Sequence, residues 1–378
     1  MSPDLIILGA SARAAAESGL RAGMRPWCAD LFADRDLAAI CPVMRCRWEC
    51  YPSGLLELLD AAALPPEAPV LFTGAIENHT ALVDAIAARR PLAGSNAAAM
   101  RSVRDPVALT AVKPHTGLRP CQVYQAESRP DAAQAGRTLI KPLRSTGGHD
   151  IRAWKPGERV DDDHYLQEFV EGRPVSSVFR ADGDATVLVG VTEQIIGDPE
   201  FGADGYRYCG SIGPLPLAPR QEDALKHLGR QLAEAHQLRG LFGVDAILDS
   251  AGDLRPVEVN PRYTASVEIL ERATGSGALA PRLGAFGPAP TGAVAPETVS
   301  HAKAIVFARR ETRVGDLYGV FDRESIADIP AAGQVVETGF PICTLLSRGP
   351  DQASCMRSVR AMAARLYAWL EGCYTHLD

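Results

Sequence analysis

No stretch of this 378-residue chain is apolar for long enough to cross a bilayer. The first residues, MSPDLIILGASARA, lack a basic segment ahead of an apolar one and run straight into strand-like Leu5–Leu8, so no signal peptide is read there. Positive charge is not in excess. Lys and Arg number 39 against 46 Asp and Glu, and the net charge of −7 argues against a nonspecific nucleic-acid binder. Lysine is scarce beside arginine, which reflects genome composition more than chemistry. There is no CxxC pair. The nine cysteines are an odd number scattered along the chain, and clustered Cys41, Cys46 and Cys50 read as free thiols rather than a zinc site. These features fit a cytoplasmic protein. No internal repeat occurs, and Gly275–Pro296, rich in Ala, Gly and Pro, reads as a long surface connection. What remains is ordinary for a globular protein of two or three domains: 46% hydrophobic and 22% charged residues.

The chain opens with a βαβ pattern. Asp4–Leu8 is a buried-type strand, Gly9–Arg13 a small-residue turn, a helix follows to about Ala22, and Arg25–Ala29 is a second strand ending at Asp30. Only Gly9 is present where a dinucleotide fingerprint wants three small positions, so a structural α/β unit is expected. Val70–Thr73 is another strand. Glu77 and Asn78 sit at its C-terminal end, where they can meet a ligand or cap the helix from Thr80. Asn96 caps a helix through Val103, and Asp105-Pro106 predicts a further helix to about Val112.

Thr138–Trp154 reads as a strand bearing Lys141, a glycine loop and a returning strand. Lysine at a strand end can reach phosphate oxygens, and Ser145, Thr146, Gly147 and Gly148 can bring backbone N–H groups onto them. It is not a Walker A loop, because no GK[ST] opens a helix. Tyr165–Phe179 reads as a strand, a glycine turn and a second strand. Its stretch Gln167, Glu168, Phe169, Val170 can offer an adenine an apolar slot and backbone hydrogen bonds, and Glu171 can accept from a ribose. Alternatively both glutamates are surface charges. Gly197–Gly213 reads as a polar loop unsuited to a core. Glu193, Arg207 and Tyr208 are its candidates for contact with a substrate or terminal phosphate. Arg220–Gln237 is an amphipathic helix with Leu225, Leu228, Leu232 and Ala235 as core positions.

The densest chemistry lies in Gly240–Arg262. Phe242–Leu248 and Leu254–Val259 are two strands about a Ser250–Asp253 turn. Glu258 and Asn260 are two apart, so they share a strand face, and Asp245 falls roughly opposite. Two carboxylates and an amide oxygen make a hard-oxygen site suited to Mg²⁺, and Arg262 follows with a planar fork for phosphate or carboxylate. The chain ends with strands near 302–308 and 341–347 and a long helix, Asp351–Glu371.

Strand-Lys-Pro with a glycine loop, the Gln-Glu-x-x-Glu-Gly linker, the Tyr-Arg-Tyr loop and D-x12-E-x-N-P-R stand in one order, and that order resembles the ATP-grasp superfamily. The resemblance spans roughly 96–375. Residues 328–350 are similar to the closing segment of the biotin-carboxylase and pyrrolysine-synthesis branches. The resemblance implies an α/β and α+β fold: a Rossmann-like N-terminal domain (1–95), a small lobe with linker (96–190) and a large lobe (191–378). It implies ATP and Mg²⁺, or Mn²⁺, as cofactors. Lys141 and Ser145–Gly148 would hold phosphates, Gln167, Glu168 and Val170 the adenine edge, and Glu171 the ribose. Asp245, Glu258 and Asn260 would bind metal, with Lys141, Arg262 and Arg207 at the reacting groups. Where the family often carries a first phosphate lysine, this chain has Arg104 or nothing. The implied activity is a carboxylate–amine ligase acting through an acyl phosphate on small molecules, such as glutamate addition to a C1-carrier precursor. The alternatives are an ATP-dependent carboxylase or carbamoyl-phosphate-type enzyme, or a nonenzymatic nucleotide-binding module. The expected partners are a carboxylate and an amine, with neither nucleic acid nor membrane, and the long helix and apolar C-terminal sheet permit a homodimer.

Overall fold

Leu5–Leu8 is wholly buried because helices cover both faces of the sheet it occupies, as parallel sheets require. The four parallel strands lie in the order Val43–Arg45, Pro26–Asp30, Leu5–Leu8, Val70–Phe72. A single bridge from Val70 to Leu92 extends this edge. Asn96 starts the next helix as expected, its Oδ1 accepting from Ala99 N–H at 2.9 Å. The protein is described from a computed structural model covering residues 2–124, 130, 136–183, 185–275, 277–279 and 299–374. Most of the connection expected at Gly275–Pro296 lies outside these residues.

The predicted helix over Asp105–Val112 is absent. The stretch is a run of turns, with Ala108 N–H bonded to the Asp105 carbonyl and Thr110 N–H to that of Val107. Asp105 Oδ1 takes the Val107 N–H at 3.0 Å, a local bond that competes with helical hydrogen bonding.

Two antiparallel sheets follow. The small one orders Val123–Tyr124, His164–Glu168, Thr138–Pro142 and Arg152–Ala153. The large one has eight strands in the order Leu254–Asn260, Gly240–Leu248, Arg173–Ala181, Thr186–Ile196, Tyr208–Gly213, Ser300–Phe307, Pro341–Gly349, Ile326–Ala327. The small-lobe limit expected at 190 therefore falls inside a strand of the large sheet. His164–Glu168 and Arg173–Ala181 are likewise no hairpin: they belong to different sheets, and the residues between them link the two. Gly172 passes so close to the Leu248 carbonyl that a Cβ would lie 2.4 Å from its oxygen.

Helix Pro219–His236 packs Leu225, Leu228 and Leu232 against stacked Phe179 and Phe242, whose centroids lie 5.1 Å apart. Ala235, expected in this core, is exposed. Tyr208–Gly213, read from sequence as polar loop, is a buried strand. Gly210 permits it, because a Cβ there would meet the Lys303 carbonyl oxygen at 2.2 Å. The cysteines among the described residues are free, Cys28 Sγ and Cys41 Sγ being 3.6 Å apart. No described helix is long and apolar enough to cross a membrane.

An ionic cluster ties the units together. Arg13, 1% exposed at the start of helix Arg13–Arg21, donates twice to Glu268 (2.5 and 3.1 Å) and twice to Asp328 (3.0 and 3.1 Å). Lys303 reaches Glu268 from strand Ser300–Phe307 at 3.2 Å, and Arg272 reaches it from the next helical turn.

Candidate functional site

In the Gly240–Asn260 hairpin, Asp245 pairs directly with Glu258 and Gly243 with Asn260. Asn260 Nδ2 donates to Asp245 Oδ2 at 3.0 Å, and Arg262 Nη2 donates to Asn260 Oδ1 at 3.3 Å. Arg104 Nη1 ion-pairs with Glu258 Oε1. Burial, with the facing Glu258 carboxylate second, pushes the Asp245 carboxyl up to about 6. Burial acts on Glu258 the same way, but Arg104 and Lys141 outweigh it and hold that carboxyl below its usual range. The donors are two carboxylates and an amide oxygen, with no thiolate or imidazole among them. A divalent hard cation fits this set, and it would relieve the repulsion that raises Asp245.

The Val257–Val259 stretch of the hairpin lines a cleft together with Arg104, Lys141, Ser145, Thr146, Gly148 and Tyr165 among others. Lys141 Nζ bonds Gln167 Oε1 at 3.1 Å and the Val257 carbonyl at 3.3 Å, and lies 5.7 Å from the Tyr165 ring centroid. Burial opposes its charge, yet nearby Tyr165 and Glu258 raise its pKa. The glycine loop is held from two sides. Asn78 Nδ2 donates to the Ser145 carbonyl at 3.2 Å, and Tyr208 N–H donates to the Gly147 carbonyl at 3.0 Å. Asn78 thus meets the loop as well as flanking the helix at Thr80.

Gly147 and Gly148 have φ of 64° and 78°, the left-handed region that other residues avoid. A Cβ on Gly148 would lie 1.9 Å from the Tyr206 carbonyl oxygen. The substitution Gly148→Ala is therefore expected to hold the loop open and to weaken nucleotide binding by on the order of tenfold while the lobes stay folded. Calorimetric titration with ADP checks this, and wild-type affinity in the variant would contradict it.

The linker is arranged by Glu168. Its backbone N–H donates to the Gln122 carbonyl (2.8 Å), and its Oε2 accepts from Gln122 N–H (3.1 Å) and Arg255 Nη2 (2.8 Å). Phe169 N–H goes to the Arg137 carbonyl at 2.7 Å. Val170 N–H makes no hydrogen bond among the described residues, and Glu171 is exposed.

Other candidates are held elsewhere. Arg207 stacks 3.7 Å from the Phe307 centroid and donates to the Gly339 carbonyl at 2.5 Å, so its contacts lie with the C-terminal segment. Glu193 is paired with Arg173. The Tyr208 hydroxyl shares a 2.7 Å hydrogen bond with Ser211 Oγ. Sequence reasoning gave no role to Arg255, which lies in the same short strand as Glu258 and Asn260. Nor did it assign Tyr165.

Residues 111–266 match the ATP-grasp domain family. The chain carries an ATP-grasp domain, and its eight-stranded sheet, small sheet and N-terminal parallel sheet form the two-lobed fold with its preceding domain. The class to which the matched segment and the fold point is that of proteins with an ATP-grasp domain. No curated protein matches the sequence. Solved structures share its fold. Biotin carboxylase from Campylobacter jejuni, in a β,γ-ATP complex, is 14% identical with a TM-score of 0.69, covering 93% of this chain and 89% of that one. L-amino acid ligase from Bacillus licheniformis is 12% identical, with a TM-score of 0.67 over 96% and 98% of the two chains. N5-carboxyaminoimidazole ribonucleotide synthetase, as an ADP complex, is 13% identical, with a TM-score of 0.66 over 98% and 99%.

Proposed function

We propose that this protein is an ATP-dependent carboxylate–amine ligase that joins two small molecules through an acyl phosphate. The observation that carries this reading is one cleft lined by Glu258, Lys141, Arg104 and the glycine loop, with Glu258 paired across the hairpin to Asp245 and Asp245 hydrogen-bonded to Asn260. Adenine fits along the Glu168–Val170 edge, where the Val170 N–H has no described partner. Lys141, Arg104 and the N–H groups of Ser145–Gly148 meet the phosphates. Asp245, Glu258 and Asn260 would hold Mg²⁺ or Mn²⁺, which would supply charge neutralisation and orientation of the terminal phosphoryl group. A substrate carboxylate oxygen attacks that group in line and ADP leaves. The amine then displaces phosphate from the acyl phosphate while Arg262 holds the phosphate oxygens. Addition of an amino acid such as glutamate to a biosynthetic precursor, including that of a C1 carrier, is compatible with this chemistry.

Phosphorus NMR of the protein with ATP, Mg²⁺ and paired pools of carboxylates and amines tests the proposal. ADP and phosphate that appear with one acid–amine pair support it. AMP and pyrophosphate would show adenylation instead. The fold likeness to biotin carboxylase favours a second reading, an ATP-dependent carboxylase, and ADP release that depends on bicarbonate without any amine would select it.

The raised Asp245 carboxyl gives a further expected result. A carboxyl ligand must be ionised, so protons compete with metal below about 6. Apparent Mg²⁺ affinity in the presence of ADP should be level above that pH and fall by up to about tenfold per unit below it. Calorimetric titrations at pH 7 and 5 measure this, and equal affinities would remove Asp245 from the ligand set.

A further inference from the structure

Each member of the oxygen trio already has a partner within the protein. Asn260 Nδ2 donates to Asp245 Oδ2 at 3.0 Å, Arg262 Nη2 to Asn260 Oδ1 at 3.3 Å, and Arg104 Nη1 to Glu258 Oε1. The two arginines differ in what else holds them. Arg262 has a carboxylate of its own, Glu77, whose Oε1 accepts from Nε at 2.8 Å. Arg104 makes its only ion pair among the described residues with Glu258. Its remaining contacts are long: the Val259 carbonyl at 3.5 Å, and Asn78 Oδ1 and the Ser145 carbonyl at 3.4 Å each. Hydrogen bonds of that length are weak.

Arg104 directly follows helix Ala97–Val103, where the chain leaves the helix for the run of turns to Val112. Both it and Glu258 line the cleft, so a ligand entering there meets them. A guanidinium seated on a carboxylate oxygen competes with a divalent cation for that oxygen and repels it. A polyphosphate offers the same arginine more charge, and oxygens spaced to suit its planar fork. Transfer of Arg104 from Glu258 to phosphate leaves neither charge unpaired: the arginine gains a phosphate, and the carboxylate is freed for a metal.

We infer that Arg104 is a built-in competitor of the metal, which holds Glu258 in the nucleotide-free protein and releases it when phosphate engages the guanidinium. The inference rests on the reading of this cleft as a nucleotide and metal site, and it adds an order to that reading. Phosphate engages Arg104 first, and Glu258 takes the metal second. The trio therefore binds metal weakly when no nucleotide is present. Because linkage is reciprocal, metal on Glu258 in turn keeps Arg104 available to the nucleotide.

The test uses Mn²⁺ as the probe. Its binding to the full chain is followed by electron paramagnetic resonance, without nucleotide and with ADP, in wild type, Arg104→Gln and Lys141→Gln. Lys141 is the control because it lines the same cleft with the same charge, while its Nζ bonds Gln167 and the Val257 carbonyl instead of Glu258. Melting curves confirm that the variants are folded. Without nucleotide, Arg104→Gln is expected to bind Mn²⁺ about tenfold tighter than wild type, and Lys141→Gln within about threefold of it. ADP should then tighten Mn²⁺ binding by a smaller factor in Arg104→Gln than in wild type, and metal-free ADP affinity should fall by on the order of tenfold in that variant. No gain in Arg104→Gln, or an equal gain in Lys141→Gln, would show that the contact with Glu258 does not compete with metal. Wild type that binds Mn²⁺ as tightly without ADP as with it would show the same, and needs no variant. Each of these overturns the inference while the nucleotide site stands. Wild type that binds no Mn²⁺ even with ADP is a separate outcome, which removes the metal-site reading and this inference together.

Discussion

Replacing Glu258 by glutamine is expected to lower ADP release by on the order of a thousandfold, because it removes one of two carboxylates from the proposed metal set and a charge proposed to face the phosphates. The fold should survive. Glutamine still offers an oxygen to Arg104, and both side chains are partly open to the cleft, 12% exposed for Arg104 and 31% for Glu258. A second signature separates loss of chemistry from loss of structure. Glu258 is the neighbour that, after burial, raises the Asp245 carboxyl, so Asp245 should ionise at lower pH in the metal-free variant. Turnover at the wild-type rate, with Asp245 unmoved, would show that these two side chains do not share a metal.

The largest effect on stability is expected at Glu268. It is fully buried and serves Arg13, Lys303 and Arg272 together. Removing it in Glu268→Ala leaves two of those cations, each about 5% exposed or less, without their shared partner. Breaking a buried ion pair from one side costs about 3–5 kcal/mol, and the cluster joins the N-terminal unit to the large lobe and to Asp328 of the closing segment. Urea denaturation measures the loss, and a shift below about 1 kcal/mol would mean that the cluster contributes little. The same group predicts acid sensitivity. Burial resists ionisation of Glu268, but Arg13 and Lys303 outweigh it and hold the carboxyl well below its ordinary range. A depressed carboxyl contributes stability above its unfolded value, and that contribution is lost as pH falls through the folded one. Wild type should therefore weaken in acid below about 4.5, and Glu268→Ala should weaken less steeply there.

Several features were legible in the residues alone. The period-two pattern of Phe242–Leu248 and the Glu258-x-Asn260 spacing fix which side chains share a strand face, because strand geometry is local. Lys141 beside Gly147 and Gly148 marked a strand followed by a permissive turn, for the same reason. The apolar strand Leu5–Leu8 with its small-residue turn declared a βα unit, and Asn96 declared a helix start.

What tertiary structure alone decided depends on contacts between residues far apart in the chain. Tyr208–Gly213 looks like polar loop, yet Gly210 lets it sit against Lys303 in the middle of a sheet. Val170 and Arg173 are close in sequence but serve a linker and a different sheet, since strand pairing is set by partners such as Gly240–Leu248. Arg207 sits in a motif that suggests phosphate contact, and Phe307 and Gly339 hold its guanidinium instead. Arg104 and Glu77 lie 154 and 185 residues from the side chains they pair with. Spacing along a chain carries no information about pairs so distant. Their ion pairs exist because three layers of the fold bury the same small volume, where each charge must find its partner.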